Sequence, residues 1–140
     1  RTGKPATVYF QTYKNDSKMI SEITNKNPDI FLKRELEIRK KNKLPPYQRF
    51  ISLILTGENE NKLEKEALNF KNFIENTVEG KILGPVNAPL FKLKKKFRLR
   101  FLIRGSKSMK MQNSLAKIIP KYKFSSGIKL SVDVDPINFN

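Results

Sequence analysis

The residues of this 140-residue chain that could do chemistry are cations placed at every second position of one segment. From residue 91 to residue 104, apolar residues stand mainly at odd positions and basic residues at even ones. Successive side chains of a β-strand point to opposite faces of the sheet, so this alternation predicts a hairpin with one apolar face and one basic face. If residues 94–96 form the turn, the apolar side chains pack inward and the basic ones face outward.

Crowded cations repel one another unless a polyanion neutralises them, and nucleic acid is the commonest such partner. Residues 91–123 hold 12 basic residues and no acidic one, whereas residues 47–90 hold 5 basic and 6 acidic residues. This segregation predicts contact with a nucleic-acid backbone rather than readout of bases. The candidate nucleic-acid-binding residues are Lys92, Lys94, Lys95, Lys96, Arg98, Arg100 and Arg104. The alternatives are a solvated face of a lysine-rich protein, or a surface for an acidic protein or a lipid.

The composition argues against catalysis by this chain. It contains no His and no Cys, so the usual general base, the thiolate nucleophile and the common zinc ligands are all missing. Asp133 and Asp135 stand two apart on a predicted strand, where both could face one Mg²⁺ ion. The alternative is that they pair with the adjacent basic surface, and we predict no catalytic residue and no metal site.

Two regions are predicted to position these residues. The first begins with a strand over residues 8–13, a brief helix containing Met19 and Ile23, and a second helix that opens at Pro28. Pro45 and Pro46 must end that helix, because the residue before a proline is pushed out of the α region. The predicted domain boundaries are therefore 1–44 and 45–140.

The second region alternates strands and helices. A strand over 50–55 precedes a helix with an apolar stripe over 63–78, and two further strands follow over 90–93 and 97–104. A helix over 111–122, broken near Pro120, leads to a last strand over 128–134. The order β-α-β-β-α-β predicts an α+β, ferredoxin-like split β-α-β domain with an antiparallel sheet and two helices on one face. Five lysines are expected to extend the basic patch onto the second helix: Lys107, Lys110, Lys117, Lys121 and Lys123.

Six short motifs stand along the chain: Gln11-Thr12-Tyr13, Glu35-Leu36 with Arg39, Leu44-Pro45-Pro46-Tyr47, Leu83-Gly84-Pro85 with Ala88-Pro89-Leu90, Lys95-Lys96-Phe97-Arg98 and Val132-Asp133-Val134-Asp135-Pro136. In this order and spacing they resemble the C-terminal part of the PriA family, the primosomal DNA helicases that restart stalled replication forks.

The resemblance implies that residues 1–44 finish the second helicase lobe, with Arg1 near its last arginine motif, and that residues 45–140 form a C-terminal domain. The family's members are ATP-dependent 3′-5′ helicases that assemble the primosome. They use ATP, Mg and zinc through residues outside this chain, which implies no cofactor and no ATPase activity here. The implied partners are branched or single-stranded DNA, the other helicase domains and the tail of the single-stranded DNA-binding protein.

The resemblance also implies a pocket for that acidic tail beside the helix that starts near Ser106. Gln112 falls where the family has a pocket glutamine, but Ser108 stands in place of the arginine. Lys107 and Lys110 are therefore the candidates for the pocket's positive charge. In the basic strand, Leu99 and Arg100 replace an aromatic residue and a glutamine, which weakens base stacking and favours electrostatic contact.

A ribosomal or translation-associated RNA-binding protein is the alternative function, favoured by the split β-α-β order and the lysine content. The chain has no apolar run of membrane-spanning length and no opening secretion signal. We therefore expect no membrane partner and a cytoplasmic location, and the resemblance implies a nucleoid-associated protein of a bacterium.

Overall fold

The computed structural model describes Gly3 and residues 7–14, 18–24 and 28–136, and divides the chain into two units, Arg1–Ile38 and Arg39–Asn140. Helix α1 spans Lys18–Thr24, and helix α2 spans Pro28–Lys41 and continues into the second unit. An ion pair of 2.7 Å between Arg34 Nη2 and Glu22 Oε2 joins the two helices. Both helices were predicted, and α2 begins at the proline as proposed, because a first-turn proline loses no helical hydrogen bond.

The strand predicted over residues 8–13 is wrong. These residues form no hydrogen-bonded ladder, and Tyr9 and Tyr13 are 90 % and 106 % exposed. Aromatic and β-branched residues favour strands mainly by packing against neighbouring strands, and no described residue pairs with this segment. Arg1, which the resemblance relates to an arginine motif, lies outside the described residues.

Four antiparallel strands and two helices build the second unit. They are β1 (Arg49–Gly57), α3 (Glu60–Glu75), β2 (Lys81–Leu93), β3 (Lys96–Gly105), α4 (Lys110–Ile118) with a 3-10 turn (Ile119–Lys121), and β4 (Lys129–Val134). The strand order across the sheet is β2-β3-β1-β4. This arrangement confirms the predicted split β-α-β fold.

One hydrophobic core holds both helices against the same face of the sheet. The apolar stripe of α3, which includes Leu63, Phe70 and Ile74, is fully buried there. Met111 and Leu115 of α4 belong to the same cluster, and the odd-numbered residues of β1 and β3 line the sheet side of it. Burying each large apolar side chain contributes about 1.5–3 kcal/mol, so this layer supplies most of the stability of the unit.

Strand β2 is longer and less regular than predicted. The Gly84-Pro85 and Ala88-Pro89 pairs were expected to precede a strand over 90–93, but they lie inside β2 at two shifts of its register with β3. Proline is tolerated because β2 is an edge strand, where one row of N–H groups has no ladder partner. Gly84 has φ 100°, and a Cβ there would lie 2.6 Å from the carbonyl oxygen of Arg100. The irregularity at Gly84 therefore requires glycine.

We predict that Gly84→Ala destabilises the unit more than Gly127→Ala does. Both glycines have positive φ, so both substitutions strain the backbone by about 1–2 kcal/mol. A Cβ at Gly127 meets nothing within 4 Å, whereas a Cβ at Gly84 must displace β3. Urea unfolding of the two variants should differ by at least about 1 kcal/mol. Equal losses would contradict a steric requirement at Gly84.

A buried carboxylate anchors the segment that leads into β4. Glu66 on α3 is 7 % exposed and accepts hydrogen bonds from the Ser125 backbone N–H at 3.2 Å and the Ser125 hydroxyl at 2.7 Å. The Tyr122 ring packs against Phe70 and Phe124, with ring centroids 5.0 and 4.8 Å away. Burial, the nearby Glu66 charge and a hydrogen bond to Glu66 raise the pKa of Tyr122 to about 12.

This raised pKa predicts a specific loss of stability in alkali. Between pH 10 and about 12 the unfolded chain releases the Tyr122 proton while the folded chain keeps it, so the free energy of unfolding falls as the pH rises. The stability advantage of the wild type over Tyr122→Phe should shrink by roughly 1–3 kcal/mol across that window. Denaturant unfolding of both proteins at several pH values measures this difference, and lysine titration cancels between them. A constant difference would contradict the raised pKa of Tyr122, which burial and Glu66 together cause.

Candidate nucleic-acid interface

The register of β1 with β3 decides which side chains lie on the outer face, which we define as the sheet face turned away from α3 and α4. Thr56 lies opposite Arg98, Ile54 opposite Arg100 and Phe50 opposite Arg104. Directly opposed residues of an antiparallel pair share a face. The odd-numbered neighbours on β3 are buried in the core. The three arginines therefore share the outer face, as the alternation predicts.

The hairpin turn corrects the prediction for Lys92. We expected the turn at residues 94–96, but it consists of Lys94 and Lys95, both with positive φ, and Lys96 already belongs to β3. A two-residue turn sets Leu93 opposite Lys96 and Lys92 opposite Phe97. Lys92 therefore lies on the helix side of the sheet, with its ammonium 4.9 Å from the centre of the Phe97 ring. Leu93 takes a place on the outer face.

Two further lysines lie on the outer face and were not among the predicted binding residues. Lys81 of β2 is opposite Arg104, and Lys129 of β4 is opposite Thr56. Polar and apolar residues alternate over residues 129–134, as they do in β3. This alternation in the sequence could have predicted the outward direction of Lys129. Outer-face positions of the four strands thus hold six basic residues and one acidic residue, Asp133. The basic members are Lys81, Lys96, Arg98, Arg100, Arg104 and Lys129.

At the paired outer-face positions of the described strands, basic residues outnumber acidic ones by six to one. Lys81 and Arg104 oppose each other directly, a like-charge arrangement that destabilises a sheet. Lys96 pairs with Glu58 at 3.8 Å, but both side chains are exposed, and exposed ion pairs contribute little. This concentration of positive potential attracts a polyanion.

Base stacking has little support on this face. Among the paired strand positions of the outer face that the structure describes, Phe50 is the aromatic residue. Phe50 is only 6 % exposed. Leu99, which stands where the resembled family has an aromatic residue, is buried in the core on the helix side. The exposed apolar side chains on the outer face are aliphatic and include Leu83, Val86 and Leu93.

Three of the lysines expected to extend the basic patch do not lie on the outer face. Lys117, Lys121 and Lys123 were expected to extend the basic patch, but they belong to α4 and the segment after it. Because α4 packs in the core beneath the sheet, these lysines lie in the helix layer on the other side. The chain therefore carries two separate basic surfaces.

Arg49, which the sequence did not suggest, contacts Gln112, one of the residues predicted to line a tail pocket. Arg49, at the start of β1, donates from Nη1 to Gln112 Oε1 at 3.1 Å and from Nε to Asp135 Oδ2 at 3.1 Å. Its Nη1 also contacts Met109 Sδ at 3.0 Å. Gln112 and Arg49 are 63 positions apart in sequence, so only the docking of α4 beside the start of β1 reveals the pair.

A cavity of about 220 Å³ adjoins this arginine. It is lined by Pro45, Pro46, Gln48, Arg49, Lys107 and Asp135. The Gln48 Oε1 atom is buried and makes no hydrogen bond, so the wall contains an acceptor that needs a donor. Lys107 lines this cavity, while Lys110, the first residue of α4, is not among its lining residues.

The Asp133 and Asp135 pair does not form a two-residue metal face. Strand β4 ends at Val134, and Asp135 leaves it with φ 54° to pair with Arg49. Among the described residues, no group of three possible ligands from His, Cys, Asp and Glu comes together. None of the described helices has the length and apolar character needed to cross a membrane.

The sequence is similar to one domain family and to several curated proteins. Residues 40–137 match the family model described as the primosomal protein N C-terminal domain. The chain is 35 % identical over 139 residues to the replication restart protein PriA of Rickettsia typhi. The matched region covers 99 % of this chain and 21 % of that protein. The PriA of Synechocystis is 30 % identical, over 100 % of this chain and 17 % of that protein.

The PriA of Bacillus subtilis is more distant, at 25 % identity over 97 % of this chain and 18 % of that protein. The chain spans about a fifth of the length of the curated relatives that it matches. The family match covers most of the chain and includes all four strands of the sheet. This chain therefore belongs to the family of the primosomal protein N C-terminal domain.

Proposed function

We propose that this chain is the nucleic-acid-binding and partner-docking part of a replication restart protein of the PriA type. The observation that carries the proposal is the outer face, where six basic residues stand with one acidic residue on four paired strands. Its partner is the phosphate backbone of branched or single-stranded DNA, because cations at fixed spacing meet phosphates without reading bases.

The same proposal assigns the motor to other parts of a longer protein. The relatives are named replication restart proteins, and the chain covers about a fifth of them. We propose that ATP hydrolysis and 3′-5′ unwinding, with their ATP, Mg and zinc, reside outside these 140 residues. This chain contributes binding and docking in the bacterial cytoplasm. A ribosomal RNA-binding role has no counterpart in the family match.

We predict that charge reversal on the outer face weakens DNA binding, whereas reversal on the helix side of the same hairpin does not. Arg98→Glu removes an outer-face cation, and Lys92→Glu is its matched control because Lys92 is exposed but lies on the opposite face. Fluorescence titration of forked and single-stranded DNA at several salt concentrations measures both effects. Three phosphate contacts imply a log–log salt slope of about −2 for a single strand.

Arg98→Glu should lower the affinity about tenfold or more and flatten the salt slope by about one or more. A wild-type affinity that does not change with salt would overturn the backbone-binding proposal. Equal effects of Arg98→Glu and Lys92→Glu would show that net charge, not the outer face, governs binding. Matched RNA strands in the same titration test the translation-associated alternative, which requires tighter binding to RNA.

The second half of the proposal is a docking pocket for the acidic tail of the single-stranded DNA-binding protein. The supporting observation is that Arg49 and Lys107 flank one cavity, with Gln112 held against Arg49. In the resembled family, an arginine stands at the position that Ser108 occupies here. We propose that Arg49 supplies the positive charge of that arginine. Asp135 neutralises part of the Arg49 charge, so Lys107 supplies the remaining attraction for a carboxylate.

We predict that a short acidic peptide with a free C-terminal carboxylate binds this cavity through Lys107. Lys107→Ala should weaken binding about tenfold, because it removes a charge-assisted hydrogen bond. Lys110→Ala is the matched control, since Lys110 does not line the cavity and should leave the affinity unchanged. Calorimetry with the free peptide and with its C-terminally amidated form measures the contribution of the carboxylate. Equal losses in both lysine variants would contradict docking in the cavity.

A further inference from the structure

A cleft opens on the outer face beside the hairpin turn. Its volume is about 360 Å³, and its lining comprises Thr56, Leu93, Lys94, Lys96, Arg98 and Ser131. The lining residues thus include three cations, two hydroxyls and one aliphatic side chain. The hydroxyls of Thr56 and Ser131 were not predicted as functional residues.

Side chains from four strands and one turn line the cleft. Thr56 of β1 lies opposite Arg98 of β3 on one side and opposite Lys129 of β4 on the other. Ser131 follows Lys129 on the same face, two positions further along β4. The two-residue turn then brings Lys94 next to Lys96 at the open end. The hydroxyls therefore form the sheet floor of a cleft whose rim is basic.

This donor set suits a phosphate group. A phosphate presents several acceptor oxygens, and an arginine fork can take two of them while lysine acts as a point charge. The Thr56 and Ser131 hydroxyls can donate to a remaining oxygen without adding charge. Glu58 is the carboxylate that competes for Lys96, but the pair is 3.8 Å long and Glu58 is 76 % exposed, so a phosphate displaces it at small cost.

We propose that this cleft is a discrete phosphate-binding site that holds one phosphate group of a bound nucleic-acid strand. The inference rests on the proposed function of the outer face. It adds that one phosphate of the bound strand occupies a fixed position on that face. Arg98, Lys94 and Lys96 supply the charge, and Thr56 and Ser131 fix the phosphate in register with the sheet. Leu93 lies against the adjoining sugar, where an apolar wall excludes water.

Removing the Thr56 and Ser131 hydroxyls tests whether the cleft is a discrete site or part of a diffuse electrostatic surface. Removing them changes no charge, so the number of released counterions and the salt slope stay the same. A discrete site still loses the hydrogen bonds to phosphate. The double variant Thr56→Val and Ser131→Ala in the full 140-residue chain is therefore the informative change. Thr77→Val, an exposed hydroxyl in the turn after α3, is the matched control.

The double variant should bind single-stranded DNA about fivefold to tenfold more weakly at every salt concentration, with an unchanged salt slope. Inorganic pyrophosphate should shift the backbone amide signals of residues 56, 94, 96, 98 and 131 in the wild type and in Thr77→Val, but not in the double variant. Matched DNA and RNA strands, each with and without a 5′ phosphate, identify which nucleic acid and which phosphate the cleft takes. Ser131→Ala alone, on the exposed edge strand β4, provides the same test if the double variant unfolds.

The proposal is overturned if the hydroxyl variants bind like the wild type and pyrophosphate shifts no signal around the cleft. If Arg98→Glu then still flattens the salt slope, the outer face binds nucleic acid diffusely and only the discrete site is wrong. If Arg98→Glu also has no effect, the proposed function of the face fails with it. The two outcomes are distinguishable in one set of titrations.

Discussion

The unbroken antiparallel pairing of β1 with β3 is the constraint on which the rest of the structure depends. Nine consecutive residue pairs, from Arg49↔Gly105 to Gly57↔Phe97, fix the register. The side-chain period of a strand is two, so a slip by one residue would send the buried odd-numbered side chains to the outer face and the arginines into the core. Burial of residues such as Leu53 and Phe101 therefore also keeps the arginines of β3 on the outer face. Core packing and the proposed binding surface are two consequences of one register.

The helix layer gives this sheet a second side with different chemistry. Helices α3 and α4 cover the apolar face, and Glu66 ties the following segment to α3 through Ser125 and Tyr122. Lys117, Lys121 and Lys123 are thereby carried beneath the sheet and away from the outer face. A charge excess that is continuous in sequence becomes two surfaces in space.

The end of the sheet shows how docking creates a site from distant residues. Arg49 lies where β1 begins, and it meets Gln112 of α4 and Asp135 beyond β4. The residues adjacent to each of them in the sequence do not indicate that they meet. Their meeting depends on the packing of α4, because the helix must bring Gln112 within hydrogen-bonding distance of β1. The family resemblance pointed to Gln112 but not to the arginine that holds it.

The sequence by itself determined the order of elements, the apolar stripes of the two core helices and the outward direction of Arg98, Arg100 and Arg104, because these follow from local periodicity. It did not determine the face of Lys92, which depends on whether the hairpin turn has two or three residues. Residues 8–13 have strand composition without a partner, and β2 continues through two prolines because it lies at an edge. Turn length, edge position and the meeting of Arg49 with Gln112 are decided by contacts between distant segments, so only the tertiary structure could decide them.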